Sequence, residues 1–256
     1  GSNDDDAGAV KCGADIYACI MRYNTLWNNY RFVGATGPCF SGGVNCTGVY
    51  CLYYDYAADD LHGTTSYMYN NICFDNDSGL QANRMPTVGI FNNLVYHNGF
   101  TPNRAALTPP NSTRADYGRG LNINETGVEP GNPPRAFVNV QIYNNTIVGN
   151  WGNGLWLQQN AGFSATGVHM RNNIFMNNAQ KPSPYNYELY IDLTTGTTGN
   201  QDFNNDLIYS PTTSLFIQLN GGLYSTLAQI QARGGNTTWT NAVATAATFV
   251  NVAGGN

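Results

Sequence analysis

Lysine is nearly absent from this chain of 256 residues: Lys11 and Lys181 are the only two, and charged residues of both signs make up 11% of it. Proteins that grip nucleic acid neutralise phosphates with clustered basic side chains, so this scarcity and a net charge of −5 argue against a nucleic-acid partner. Helix bundles are disfavoured as well, because their exposed faces draw on charged, straight-chain residues. Also missing is any run approaching the roughly eighteen apolar residues of a spanning helix, so no membrane span is expected. The chain has no Cys-x-x-Cys pair with suitably spaced histidines for zinc, no glycine-rich phosphate loop and no nucleophile elbow.

In their place the chain is rich in Gly, Asn, Thr and Tyr, and its cysteines are confined to one region. Cys12, Cys19, Cys39, Cys46, Cys51 and Cys73 all fall in the first third. An even count so placed points to local disulfides and to a secreted or cell-surface protein, with the pairing left open. Buried free thiols are the alternative.

Asparagine carries the strongest pattern. Six nine-residue blocks align without gaps: MRYNTLWNN from Met21, MYNNICFDN from Met68, IFNNLVYHN from Ile90, IYNNTIVGN from Ile142, MRNNIFMNN from Met170 and DFNNDLIYS from Asp202. Their fourth positions are Asn24, Asn71, Asn93, Asn145, Asn173 and Asn205, and five of the six end in asparagine. Irregular spacing between copies means loops of different length inserted into a common unit. A second pattern alternates with the first: GVYCLY at Gly48, GLQANR at Gly79, GLNINE at Gly120, GLWLQQ at Gly154, ELYIDL at Glu188 and SLFIQL at Ser214. Its period is two, which turns Val49 and Cys51, Leu80 and Ala82, Leu121 and Ile123, Leu155 and Leu157, Leu189 and Ile191, and Leu215 and Ile217 toward a core.

Short strands punctuated by turn residues and repeated like on like describe a parallel solenoid. At a tight bend asparagine tolerates left-handed backbone angles, and its amide can bond to the equivalent amide one coil away. Asn173 is therefore expected between Asn145 and Asn205. Past Ser210 the pattern fades into a short helix around Leu223 to Gly235, with Ser225 as its N-cap, and a final strand in ATFVNVAGGN. The expected organisation is one domain over 1–256, with coils over 8–220 and a cap over 221–256. No capping helix precedes the first strand near residue 8, an open end that invites end-to-end self-association.

The segments YNNICFDND, GIFNNLVYHNG and YNNTIVGNWGNGLWLQ resemble coils of the right-handed parallel β-helix superfamily, pectate-lyase-like in architecture, which includes polysaccharide lyases and glycoside hydrolases. The likeness runs from Gly8 to Ser210. It implies an all-β fold, a right-handed parallel β-helix with inserted loops and a short C-terminal helical cap. It also implies a polysaccharide as partner, with lyase or hydrolase chemistry; a non-catalytic adhesin or filament on the same fold is the alternative.

Within that frame, YYDYAADDLH supplies Asp55, Asp59, Asp60 and His62, and CFDND supplies Asp75 and Asp77. Carboxylates so grouped would bind calcium, with Asp59, Asp60, Asp75 and Asp77 as ligands, or act as acid and base on a glycosidic bond, or cap turns. Tyr54 and Asp55 are similar to the Tyr-Leu-Asp-Asp coil of β-helix glycoside hydrolases, whose outward aspartate is the nucleophile; Tyr56 replaces the second aspartate. The run around Lys11 resembles the coil in which β-helix lyases carry a lysine base that removes the proton at C5 of a uronate. Arg84 and Glu125 fall at equivalent positions on successive coils, as an ion pair or as flanks of a groove. Around them the outward positions read Tyr50, Gln81, Asn83, Asn122, Asn124, Trp156, Gln158 and Tyr190. Rings among amides suit sugars, whose CH faces stack while their hydroxyls need donors and acceptors. His97 and His169 are expected at turns or on the surface.

Overall fold

The structure, a computed structural model, describes residues 8–12, 18–29, 50–55, 65–100, 118–125, 136–159, 165–180, 187–193, 200–210, 217–232 and 237–244. Among the described residues six coils follow one another, each of three strands. Coil one holds β1 (Gly8–Cys12), β2 (Ile20–Arg22) and β3 (Thr25–Trp27); coil two, β4 (Tyr50–Asp55), β5 (Ser66–Tyr69) and β6 (Ile72–Phe74). Coil three holds β7 (Ser78–Asn83), β8 (Thr87–Phe91) and β9 (Leu94–Tyr96); coil four, β10 (Leu121–Glu125), β11 (Asn139–Tyr143) and β12 (Thr146–Val148). Coil five holds β13 (Leu155–Gln159), β14 (Gly167–Arg171) and β15 (Ile174–Met176); coil six, β16 (Leu189–Asp192), β17 (Asn200–Asn204) and β18 (Leu207–Tyr209). The cap follows as β19 (Ile217–Leu219), β20 (Gly222–Tyr224), α1 (Leu227–Gln231) and β21 (Thr237–Thr240).

Corresponding strands of successive coils pair in parallel, giving a first sheet β1-β4-β7-β10-β13-β16-β19, a second β2-β5-β8-β11-β14-β17-β21 and a third β3-β6-β9-β12-β15-β18. This is the expected parallel β-helix, with the right-handed winding that parallel crossovers take. The antiparallel β20 closes the first sheet after β19. Inside, like stacks on like: Leu52, Leu80, Leu121, Leu155, Leu189 and Ile217 form one fully buried row of the first sheet. Each such side chain contributes roughly 1.5–3 kcal/mol by leaving water.

The double asparagines divide their labour between two adjacent residues. At the corner between the second and third sheets, Tyr23, Asn70, Asn92, Asn144, Asn172 and Asn205 take positive φ of 54° to 58°. It is the residue after each, Asn24, Asn71, Asn93, Asn145 and Asn173, that forms the ladder, so the left-handed turn and the ladder bond do not fall on one asparagine as expected. Each ladder amide donates to the next Oδ1, as in Asn71 to Asn93 (2.9 Å), Asn93 to Asn145 (2.9 Å) and Asn145 to Asn173 (3.0 Å). The backbone N–H of each rung donates to that same oxygen. The ladder then passes to Asp206 and not Asn205, because the sixth block is one residue out of phase: Phe203, not Asp202, pairs with Met170.

A second ladder runs along the next corner through Asn29, Asn76, Asn98, Asn150 and Asn178, each preceded by a residue of positive φ. It too ends on an acid, Glu188, which receives both the backbone and the side-chain N–H of Asn178. Buried amides thus find partners on every coil, as a polar group excluded from water must.

In coil two the core rows of Leu80 and Ala82 are continued by Leu52 and Tyr54, while Cys51 is buried in the core as expected but in a different row, and Val49 lies outside the described residues. Cys51 aligns with Gly79, and its sulfur crosses to the third sheet to bond Cys73. A second disulfide joins Cys12 and Cys19; Cys39 and Cys46 lie outside the described residues. At the far end Ile217, not Leu215, pairs with Leu189, a shift of two residues that leaves the same face inward. The cap helix starts at Thr226 rather than Ser225, because Thr226 accepts from the Gln229 N–H and Gln229 returns a bond, a reciprocal capping box. The stretch ATFVNVAGGN lies outside the described residues. Among the described residues no helix is long and apolar enough to cross a membrane.

Candidate functional site

Alternation along the first-sheet strands turns every second side chain outward. Register aligns Lys11, Tyr53, Gln81, Asn122, Trp156, Tyr190 and Gln218 in one outward row, and Asp55, Asn83, Asn124, Gln158 and Asp192 in the next. Tyr53 holds the place expected of Tyr50, which pairs with Ser78 three residues earlier. Tyr50 still joins the row through its hydroxyl, which accepts from Asn122 Nδ2 at 3.1 Å.

The row is a connected network. Asn122 donates to Gln81 Oε1 (3.2 Å), Asn83 donates to the Tyr53 hydroxyl (3.4 Å), and the Lys11 ammonium lies 4.9 Å from the Tyr53 ring centre. Further along, Trp156 stacks on Tyr190 with centroids 3.6 Å apart and planes 4° from parallel, and its Nε1 donates to Gln158 at 3.0 Å. On the coil-four side of Trp156 sits Arg119, a residue that the sequence patterns do not mark. Its guanidinium lies 3.8 Å from the indole centre and donates to Asn122 Oδ1 at 2.9 Å. Most of this row is buried: Tyr53, Gln81, Asn83, Asn122, Trp156 and Arg119 all expose less than a tenth of their surface, while Gln158 and Tyr190 are partly open. Burial, then the charge of Asp192, pushes the Tyr190 phenol up.

Charged residues also stand at the carboxyl ends of the same strands. Asp55 ends β4, Arg84 follows β7, and Glu125 ends β10, on three consecutive coils. Arg84 takes a positive φ of 54°, is half-buried, and donates its backbone N–H to Asn124 at 2.7 Å. Residues 84–86 alone turn coil three into its second-sheet strand, whereas residues 56–65 and 126–138 do so on the coils either side. Lys11 lies one coil before Asp55, opposite Tyr53.

The other acids fall elsewhere. Asp75 occupies the third-sheet corner with a φ of 53° and bonds the His97 Nδ1 at 2.5 Å, while His97 stacks on Phe100. Asp77 is buried just before β7. Calcium asks for six to eight oxygens, and the described residues hold no group of three acids, histidines or cysteines that could bind a metal. Asp59, Asp60 and His62 lie outside the described residues.

On the second sheet, His169 stands outward on β14 rather than at a turn. Its Nδ1 bonds Asp202, which also receives Arg171 Nε at 3.0 Å and Asn204 Nδ2 at 3.1 Å. Partial burial pushes the Asp202 carboxyl up, but the bonds from His169 and Arg171 outweigh it and hold the group below the usual carboxylate range.

Compared with family models, curated proteins and solved structures, the chain matches none.

Proposed function

We propose that the protein is a secreted or cell-surface β-helix that binds a polysaccharide along the outward face of the first sheet and hydrolyses it at the carboxyl ends of β4, β7 and β10. The observation that supports this reading is the sequence Asp55, Arg84, Glu125 on three consecutive coils, beside a floor of amides and phenols. Strands two apart are separated by roughly 9.5 Å, and register lines Asp55 up with Asn124, one residue before Glu125, a wide backbone spacing that favours an inverting pair, with carboxyl groups roughly 6.5–9.5 Å apart, over a retaining pair at about 5–5.5 Å. One acid would protonate the leaving glycosidic oxygen while the other draws a proton from an attacking water. Arg84, between them, would favour the ionised form of the base. Two disulfides suit an oxidising compartment.

Lyase chemistry would use Lys11 as the base. Its contact with the Tyr53 ring exploits the ammonium charge, which suits Lys11 better to holding an anionic group of the substrate. Calcium enters no step of this reading, in which Asp75 is engaged by His97 and Asp77 is buried. Both faces of Trp156 are occupied, by Arg119 and by Tyr190, so no sugar stacks on the indole and a binding-only role would rest on the partly open Gln158 and Tyr190.

A glycan panel read for reducing ends, for unsaturated uronate absorbance and for retention separates these outcomes. Hydrolysis predicts reducing ends that Asp55→Asn and Glu125→Gln each abolish while binding persists. Unsaturated products lost in Lys11→Ala would instead establish the lyase, and retention without products the binding module. No retention of any glycan would sink the carbohydrate reading.

A further inference from the structure

Asp206 ends the first ladder in a way that asparagine could not. Its Oδ1 accepts from the backbone N–H and the side-chain amide of Asn173, each at 2.8 Å, as the Oδ1 of each earlier rung accepts from the rung before it. Its second oxygen, Oδ2, therefore stands where the preceding rungs hold Nδ2. There Asn71, Asn93, Asn145 and Asn173 donate one N–H to the carbonyls of Met21, Met68, Ile90 and Ile142 in the coil behind. The strand register carries that series on to Met170. Oδ2 of Asp206 is buried and receives no hydrogen bond.

A last rung needs one acceptor for Asn173, one donor for the carbonyl behind, and nothing more, because no asparagine follows. Asparagine has two N–H groups and would leave one unused; a carboxylate would set two acceptors together and bury a charge. A protonated carboxyl offers one donor and one acceptor. We propose that Asp206 closes the ladder as a neutral carboxylic acid, its Oδ2–H donating to the Met170 carbonyl, and that its ionisation unseats the C-terminal segment.

The coupling to that segment is direct. The Asp206 carbonyl accepts the Val243 N–H at 2.9 Å, and the Val243 carbonyl accepts the Ile208 N–H at 2.9 Å. Of the charged groups around it, Asp202 on β17 opposes a second negative charge, and Asp202 is itself engaged by His169 and Arg171 of β14. Neither β15 nor β21 carries a titratable side chain, and β18 carries only Tyr209. Burial pushes the Asp206 carboxyl up to about 6, against the bonds from Asn173 and with help from Asp202. An acid raised in the folded state stabilises closure at low pH and loses that contribution as pH climbs through its folded value.

The test combines carbon-detected NMR titration of the Asp206 carboxyl with amide exchange at Ile208 and Val243, corrected for intrinsic rates, on the full chain. Expected are a carboxyl midpoint near 6 and opening of both amides at least tenfold more frequent at pH 8 than at pH 5, a dependence that Asp206→Asn flattens. A midpoint near 4, or the same pH dependence in Asp206→Asn, overturns the proposal. Should that variant not fold, the carboxyl titration of the wild type decides alone.

Discussion

Glu188 accepts from Asn178 on both carboxyl oxygens, taking the backbone N–H at 3.0 Å on one and the side-chain amide on the other. The acid reaches in from the start of β16 to finish a ladder whose next place in the sixth repeat is proline, Pro211. Burial pushes its carboxyl up to about 8, against the bonds from Asn178. The unfolded group loses its proton near 4.5, so between these values only the folded chain retains the proton and stability falls as pH rises. From pH 7 to 9, above the range of Asp206, the urea midpoint should drop. Glu188→Ala should remove that drop and, by stranding two donors of Asn178, cost about 1–3 kcal/mol at pH 7. A wild-type midpoint flat across this window would contradict the assignment.

Adjacent asparagines should respond differently to substitution. Asn145→Leu strands the N–H and Nδ2 of Asn93 and the carbonyl of Ile90, and should cost more than about 3 kcal/mol. Asn144→Ala keeps the ladder and loses ease at a φ of 58° and one exposed bond from Asn172 Nδ2, about 1–2 kcal/mol together. Denaturant titration of the two variants checks the order, and equal losses would refute the division of roles.

Gly154 leaves room for a ladder rung. A methyl group there would lie 2.7 Å from Asn178 Nδ2 and 2.9 Å from the Glu188 carbonyl oxygen, so Gly154→Ala should destabilise by about 1–3 kcal/mol. Gly149 needs only its left-handed φ of 63°, with a single atom near the place of a Cβ, and its counterparts on other coils are Asn28, Asp75, His97 and Asn177. Gly149→Asn should leave the melting temperature within a degree or two of wild type. Melting curves showing Gly154→Ala as benign as Gly149→Asn would refute the packing argument.

The disulfides should differ in worth. Cys51–Cys73 spans 22 residues and ties the first sheet to the third, while Cys12–Cys19 spans 7. Loop-closure entropy gives about 3 kcal/mol for the former and about 2 for the latter. Paired Cys→Ser variants compared by urea unfolding should show the larger loss for Cys51–Cys73.

The coil repeat is legible in the sequence because a ladder demands one chemistry at one place on every coil, and Asn71, Asn93, Asn145 and Asn173 supply it. Slips occur where chemistry is kept and identity is not. Asn204–Asn205 looks like another pair, yet Asp206 is the rung, since its carboxyl oxygen accepts as an amide oxygen does. In coil two, Gly48 imitates the glycine that precedes Leu80, and only the pairing of Leu52 with Leu80 reveals the true register. That slip also hides Tyr53. Arg119 escapes because it follows no period; it is found by its contact with Trp156, and contacts across coils are not written in a linear pattern. That Asp55 lines up with Asn83 and Asn124 rather than with Arg84 and Glu125 follows only once the three strands are paired.

Both ladders have a grammar. An amide rung presents the same faces to the coil before and the coil after, so a duplicated coil could be spliced between any two of them and be read straight through. An acid rung has nothing to offer a successor. Asp206 and Glu188 therefore act as full stops, and the length of this rod can change by whole coils upstream of them without rewriting its ending.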